Sequence, residues 1–257
     1  MIHSTAIIHP AAQLHESVQI GPYSIIDEHV TVGAGCELAP HVHLTGHTTI
    51  GAENRFHTGC VIGDAPQDLK YGDEPTWLII GDRNLFREHV TVHRSNTPGE
   101  DTRIGTENFF MANSHVGHNS IIGNKVILAN GVLIAGHAMI GDGAFIAGNA
   151  VVHQFCRVGT MAMMQGCAGV SLDLPPFTIV RGINGMCGLN SVGLKRAGFS
   201  AKERSQLKKA YHAIFLSDDL LKDALEKARA EFTGVLSEQL IDFVATSQRG
   251  TCSHTKR

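Results

Sequence analysis

The chain has 257 residues, enough for one large or two small domains, and a formal net charge of −3 from 21 Lys and Arg against 24 Asp and Glu. A near-neutral balance argues against a nucleic-acid binder. No apolar run approaches the roughly 18 residues of a membrane-spanning helix, which argues against membrane insertion. No basic segment followed by an apolar one opens the chain, so the sequence predicts a cytoplasmic protein.

From Ile2 onward every sixth residue is large and apolar: Ile2, Ile8, Leu14, Ile20, Ile26, Val32 and so on to Val170, with Asp68, Glu74 and Pro98 as the exceptions. A strict hexad is neither a helical period nor simple strand alternation. It is the hexapeptide repeat of a left-handed parallel β-helix, in which three hexads close one triangular coil. The residue after the apolar one is usually small (Gly21, Gly33, Gly51, Gly81, Gly105, Gly117, Gly123, Gly141), and these glycines are expected to turn the corners. Cys36, Cys60 and Cys156 fall two residues before the apolar position, in phase with Ser24, Val30, Thr48, Ala144 and Ala150. They read as small packing residues, kept reduced. None of the six cysteines forms a CxxC pair, so no structural zinc site is expected.

Two polar stretches interrupt the hexads, at 63–79 around Asp68 and Glu74 and at 93–103 around Pro98. Both keep the spacing a multiple of six, so the ladder is expected to continue while the extra residues project as loops. The repeat ends after Val170. We therefore divide the chain into a β-helix domain, 1–171, with loops at 63–79 and 93–103, and an α-helical C-terminal domain, 172–257. In the second, Gly198 is placed to stop a first helix and Ser200 to Glu203 has capping-box spacing. Leu207, Ala210, Tyr211 and Ile214 form a helical face, as do Leu220, Leu221, Ala224 and Ala228, and Leu236, Leu240, Ile241 and Val244. The tail from Arg249 reads as frayed. Charge divides with the domains: the repeats are acidic on balance and the helical part basic, which suits docking to an acidic partner or a phosphorylated ligand.

Sixteen histidines is a high count. His3, His9 and His15 recur near one phase and read as surface residues. His118 to His137 is 19 residues and His137 to His153 is 16, each close to one coil, and His93 to His115 is 22, or 16 once the second loop's six-residue excess is subtracted, so His93, His115, His118, His137 and His153 should line one edge. Gln67, Asp68 and Lys70 emerge from a lower coil nearby. An edge of imidazoles suits general-base catalysis, metal ligation by three converging rings, or a polar subunit contact. Spacing alone leaves all three open.

Nine motifs then occur in order: QDLKY (67–71), IGDRN (80–84), TVHR (91–94), HVGHN (115–119), IAGH (134–137), VHQF (152–155), GCAGV (166–170), DLPPF (173–177) and GLKRAGF (193–199). With this set the chain closely resembles the UDP-N-acetylglucosamine O-acyltransferases that begin lipid A synthesis. The match spans nearly the whole chain. The resemblance implies a homotrimer with active sites between neighbouring prisms. It implies transfer of an (R)-3-hydroxyacyl group from acyl carrier protein to the glucosamine 3-hydroxyl of UDP-N-acetylglucosamine. No metal and no cofactor is implied, the acyl group arriving on the phosphopantetheine of its carrier.

By the same resemblance His118 is the general base and the Gly136 N–H stabilises the oxyanion. Asp68, His115, His137 and Gln154 match residues that hold sugar or acyl groups; Gln67, Lys70, His93 and His153 match other cleft positions. Asn190 and Arg196 match nucleotide contacts. Gly166 matches the position that limits acyl length, and glycine there implies room for a longer chain. Lys195, Arg196, Lys202, Arg204, Lys208 and Lys209 are the expected docking surface for the acidic carrier protein. Four departures stand out. Asn119 replaces an Asp beside the base, which removes a neighbouring carboxylate. Val192 stands where a Glu often lies, Ala197 replaces an Arg, and RGINGMCG (181–188) lacks a customary His. A related N-acyltransferase carries an extra N-terminal domain, and hexads that begin at residue 2 argue against it.

Overall fold

The computed structural model describes residues 1–255. Each hexad supplies one short strand, usually of two residues, and successive strands go to three different sheets. Ile7–Ile8 opens sheet I, Gln13–Leu14 sheet II and Gln19–Ile20 sheet III. One coil later Ile25–Ile26 pairs in parallel with Ile7–Ile8, and the pattern repeats up the prism. Among the described residues the sheets hold nine, eight and eleven strands. The result is a left-handed parallel β-helix with helices at its C-terminal end.

Two hexad phases face the interior, the large apolar residue and the smaller one two positions before it. The first forms columns such as Phe56, Phe86 and Phe110, stacked at 4.7 and 4.8 Å between ring centroids. That separation is the spacing of neighbouring strands. Cys36, Cys60 and Cys156 are buried in the second phase, as expected, and burial pushes the Cys60 thiol up to about 12, where it is unreactive. The same phase holds a polar column that the hexad pattern conceals. Asn54 Oδ1 accepts from the backbone N–H and the Nδ2 of Asn84, and Asn84 Oδ1 accepts the same pair from Asn108. Buried amides are tolerated because the stacked coils satisfy each one.

Apart from Gly63, at φ 89°, the glycines after the apolar residue have no left-handed backbone and do not turn the corners. Left-handed backbone falls two residues further on, mostly at side chains other than glycine: Tyr23, His41, Glu53, Arg83, His89, Asn113, Lys125 and Asn149 all have φ between 54 and 60°. The glycines are small for another reason. A Cβ on Gly33 would stand 2.6 Å from the Gly51 carbonyl oxygen, and one on Gly105 as close to that of Gly123. Close stacking, not backbone freedom, selects them.

Both interruptions are shorter than the sequence suggests, because strands extend into them. Val61–Asp64 and Trp77–Ile80 flank the first, and Thr91–His93 and Asp101–Ile104 the second. Arg94 pins the first loop to the prism. Its Nη1 donates to the Gly63 carbonyl at 2.9 Å, and its guanidinium lies over the Tyr71 ring at 5.6 Å.

The stretch after Val170, expected with the helical part, carries two more strands of sheet III. Thr178–Arg181 pairs in parallel with Met163–Met164, and Gly185–Leu189 returns antiparallel to it. Helices follow at Ser191–Arg196 (α1), Ala201–Phe215 (α2), Leu221–Glu231 (α3) and Val235–Ala245 (α4). Ser200 and Glu203 form the full capping box on α2, and Gly198, at φ 89°, follows α1. The tail is not frayed over its described part: Cys252 is buried, Ser253–His254 pairs with Gly185–Met186, and Tyr211 Oη lies 2.8 Å from His254 Nδ1. Residues 256–257 lie outside the described residues. Buried Asp173 joins the two parts, accepting from Arg157 Nε at 2.8 Å and Ser247 Oγ at 2.9 Å.

Candidate active site

The corner between sheets I and II carries His118 and His137, whereas His93 and His115 lie in strands of sheet I and His153 directly follows one, so the five histidines do not form a single edge. His118 sits between His115–Val116 in sheet I and Ile121–Ile122 in sheet II. Gly136 and His137 occupy the same corner one coil above, and Gln154 and Phe155 the next. A cleft of about 750 Å³ opens along this corner and the adjoining face of sheet I, lined by Gln67, His93, His115, His118, Gly136, His153, Gln154 and the apolar Leu133, Val151 and Ile183.

The His118 ring lies against the coil above: a Cβ on Gly136 would stand 2.7 Å from its Nε2. On its other side Nδ1 is 2.9 Å from Asn119 Oδ1. Among the described residues no carboxylate is paired with the imidazole. One lies behind the amide instead: Asn119 Nδ2 donates to Glu100 Oε2 at 2.8 Å. The Gly136 N–H donates to no acceptor among the described residues.

His93 and His115 meet edge to face at 4.9 Å, and His118 and His137 at 5.1 Å. Burial, then the neighbouring His93 and His118, push His115 down to about 4. Burial also lowers His93, whose buried Nδ1 has no hydrogen-bond partner, and His137. These rings are therefore neutral at neutral pH, able to accept or donate one hydrogen bond at each nitrogen. Among the described residues no three His, Cys, Asp or Glu side chains are grouped to hold a metal ion.

The other expected residues are placed less uniformly. His137 stacks on Phe155 at 4.5 Å and faces a second depression with Met139, Arg157 and Asp173. Asp68 is held below the usual carboxylate range by the Lys70 backbone N–H and the Asn96 amide, at 3.0 and 2.7 Å. The Lys70 side chain is exposed. Gly166 sits at a different corner, between sheets III and I, away from the cleft of this chain. Asn190 caps α1 through Oδ1 and donates Nδ2 to the Met161 carbonyl, and Arg196 is exposed at the end of α1. Of the proposed docking residues Lys195, Arg196, Lys202, Lys208 and Lys209 are exposed and Arg204 is half-buried. The sequence reading missed Asn96 and Glu100 in the second loop and the apolar wall of Leu133, Val151 and Ile183. Loop residues carry no period, and outward apolar residues of a hexad look like any variable position.

A hexapeptide β-helix with a histidine-lined cleft at its corner defines a hexapeptide-repeat transferase. The profile of the bacterial transferase hexapeptide repeat matches residues 11–46 and 101–136, and that of UDP-N-acetylglucosamine O-acyltransferase domain 2 matches 173–252. The acyl-[acyl-carrier-protein]–UDP-N-acetylglucosamine O-acyltransferase of Myxococcus xanthus is 44% identical over 97% of this chain and 98% of its own length. That of Herminiimonas arsenicoxydans is also 44% identical, with the same coverage. The LpxA structure from Acinetobacter baumannii superposes with a TM-score of 0.94 at 39% identity, covering 97% of this chain and 98% of that one. The Francisella novicida UDP-N-acetylglucosamine acyltransferase gives 0.96 at 35% identity, covering 100% and 95%. The chain belongs to the UDP-N-acetylglucosamine O-acyltransferase family, and it is an acyltransferase. Among the described residues no helix is long and apolar enough to cross a membrane.

Proposed function

We propose that the protein transfers an (R)-3-hydroxyacyl group from acyl carrier protein to the 3-hydroxyl of UDP-N-acetylglucosamine, the opening step of lipid A synthesis. The observation that carries this reading is the pairing of His118, one face open to the cleft, with the unpaired N–H of Gly136 one coil above. A sugar hydroxyl is far too weak an acid to attack a thioester unaided. His118 Nε2 takes its proton as oxygen bonds to the thioester carbonyl carbon, and the Gly136 N–H receives the developing oxyanion. The tetrahedral intermediate then expels the phosphopantetheine sulfur, which His118 reprotonates. Products are the 3-O-acyl sugar nucleotide and the free carrier thiol. No metal or cofactor takes part in this scheme.

The apolar Leu133, Val151 and Ile183 suit the acyl chain, and Gln67, His93, His115, His153 and Gln154 suit the sugar and the polar end of the donor; Asp68, Lys70 and His137, outside this cleft, are assigned to its polar rim. Gly166, Asn190 and Arg196 lie away from this chain's own cleft, and we assign them to a site that a neighbouring prism completes in a homotrimer. The basic residues around α1 and α2 suit docking of the acidic carrier, with an effect mainly on association rate and sensitive to salt. We place the protein in the cytoplasm, where carrier and sugar nucleotide meet. The test is acyl transfer to UDP-N-acetylglucosamine from a set of 3-hydroxyacyl carrier proteins of graded length. His118→Ala should lower turnover by about 10²–10⁴-fold with the oligomer intact. Near-native turnover in that variant would overturn the mechanism.

A further inference from the structure

We propose that Glu100, in the second loop, is a positioning residue for the base, acting through the Asn119 amide. The inference rests on the acyl-transfer reading for its kinetics but not for its structural content. An asparagine side chain can present either its oxygen or its nitrogen to a histidine, and the two choices have opposite consequences. Oxygen toward Nδ1 requires Nδ1 to carry the proton and leaves Nε2 a free base. Nitrogen toward Nδ1 reverses the tautomer and blocks Nε2 with hydrogen.

The neighbours of Asn119 remove that ambiguity. The Asn96 backbone N–H, which can only donate, lies 3.0 Å from Oδ1. The Glu100 carboxylate, which when ionised can only accept, lies 2.8 Å from Nδ2. Between them the amide has one satisfied orientation, and its oxygen must face His118 Nδ1, 2.9 Å away. The Asn119 backbone N–H is fixed independently by Thr102 Oγ1 at 2.8 Å, and Asn119 is buried, so the amide has little freedom to move elsewhere. When His118 takes a proton, the new cation faces an amide dipole whose far end rests on a carboxylate. Hydrogen bonds in such a chain polarise one another. The carboxylate absent from position 119 is thus present one link further back, delivered by the loop.

Three variants test this. Glu100→Ala should lower kcat about tenfold, part of what a positioned base contributes, with KM for the sugar nucleotide little changed. Adding Asn119→Asp to Glu100→Ala should restore kcat, because a carboxylate offers only acceptors and needs no partner to orient it. A role for Glu100 in loop structure alone would not be rescued this way. Imidazole nitrogen NMR of His118 should show the Nδ1–H tautomer in the native protein and the Nε2–H tautomer gaining population in Glu100→Ala. Native kcat and an unchanged tautomer in Glu100→Ala would overturn the proposal, as would a loss that Asn119→Asp fails to rescue. If the native protein transfers no acyl group the acyl-transfer reading fails, while the tautomer comparison still decides the role of Glu100.

Discussion

The imidazole of His118 closes against the backbone of Gly136 so tightly that a single methyl group at Gly136 would stand 2.7 Å from Nε2 and Cε1. The contact is with the end of a side chain, and Gly136 has no left-handed φ. Gly136→Ala therefore leaves the prism intact and displaces the His118 ring, the proposed base. Turnover should fall by about 10²-fold or more, since displaced base and obstructed oxyanion donor act on the same step. Thermal melting within a few degrees of native alongside that loss is the expected pair of results; a folded, fully active variant would contradict the geometry.

His115 makes stability depend on pH. In the folded protein burial holds it at about 4, against an ordinary value of 6.5. Between those values the unfolded chain binds a proton that the folded chain refuses. Stability is therefore complete above about pH 6.5 and declines as pH falls toward 4, by on the order of 2 kcal/mol from this residue after allowance for its partial exposure. Urea midpoints at pH 7 and pH 5 should separate more for the native protein than for His115→Gln, and equal separations would refute the assignment.

Gly166 offers a clean place to change size. A Cβ there meets only the Gly148 carbonyl oxygen, at an ordinary 3.5 Å. Gly166→Met should fold and assemble normally. If Gly166 faces the acyl chain across the subunit boundary, the variant prefers 3-hydroxyacyl donors several carbons shorter; an unchanged length profile would remove Gly166 from the site.

Asn84 holds the middle of the buried amide column. Asn84→Ala strands the Asn108 N–H and Nδ2 and the Gly105 carbonyl that it satisfies. The expected cost is about 3 kcal/mol, read as a drop in unfolding free energy with no change in the KM of the sugar nucleotide.

The sixfold period made the prism, its core columns and the buried cysteines legible, because a repeat that stacks on itself must show the same residue type at every level. The corners were misread for the same reason. Tyr23, Arg83 and Lys125 adopt left-handed backbone that their own preferences disfavour, since the coils above and below impose it. Strand Gly185–Leu189 has no alternation to betray it. Counting coil by coil brought His93, His115, His118 and His153 to one cleft, but not His137, which faces a second depression. Asn96 and Glu100 could not be counted in this way, because a loop's side-chain partners depend on where the loop lands and leave no pattern along the chain.

The Phe column at 4.7 and 4.8 Å per step also sets a length scale for chemistry. His118 and Gly136, the proposed base and oxyanion donor, occupy adjacent storeys of one staircase, and no side-chain change alters the height of a step. Any change in the rise between landings would need a whole turn of the stair, which would part the two groups altogether. The scaffold thus leaves composition free to drift while keeping the interval between the reacting partners fixed.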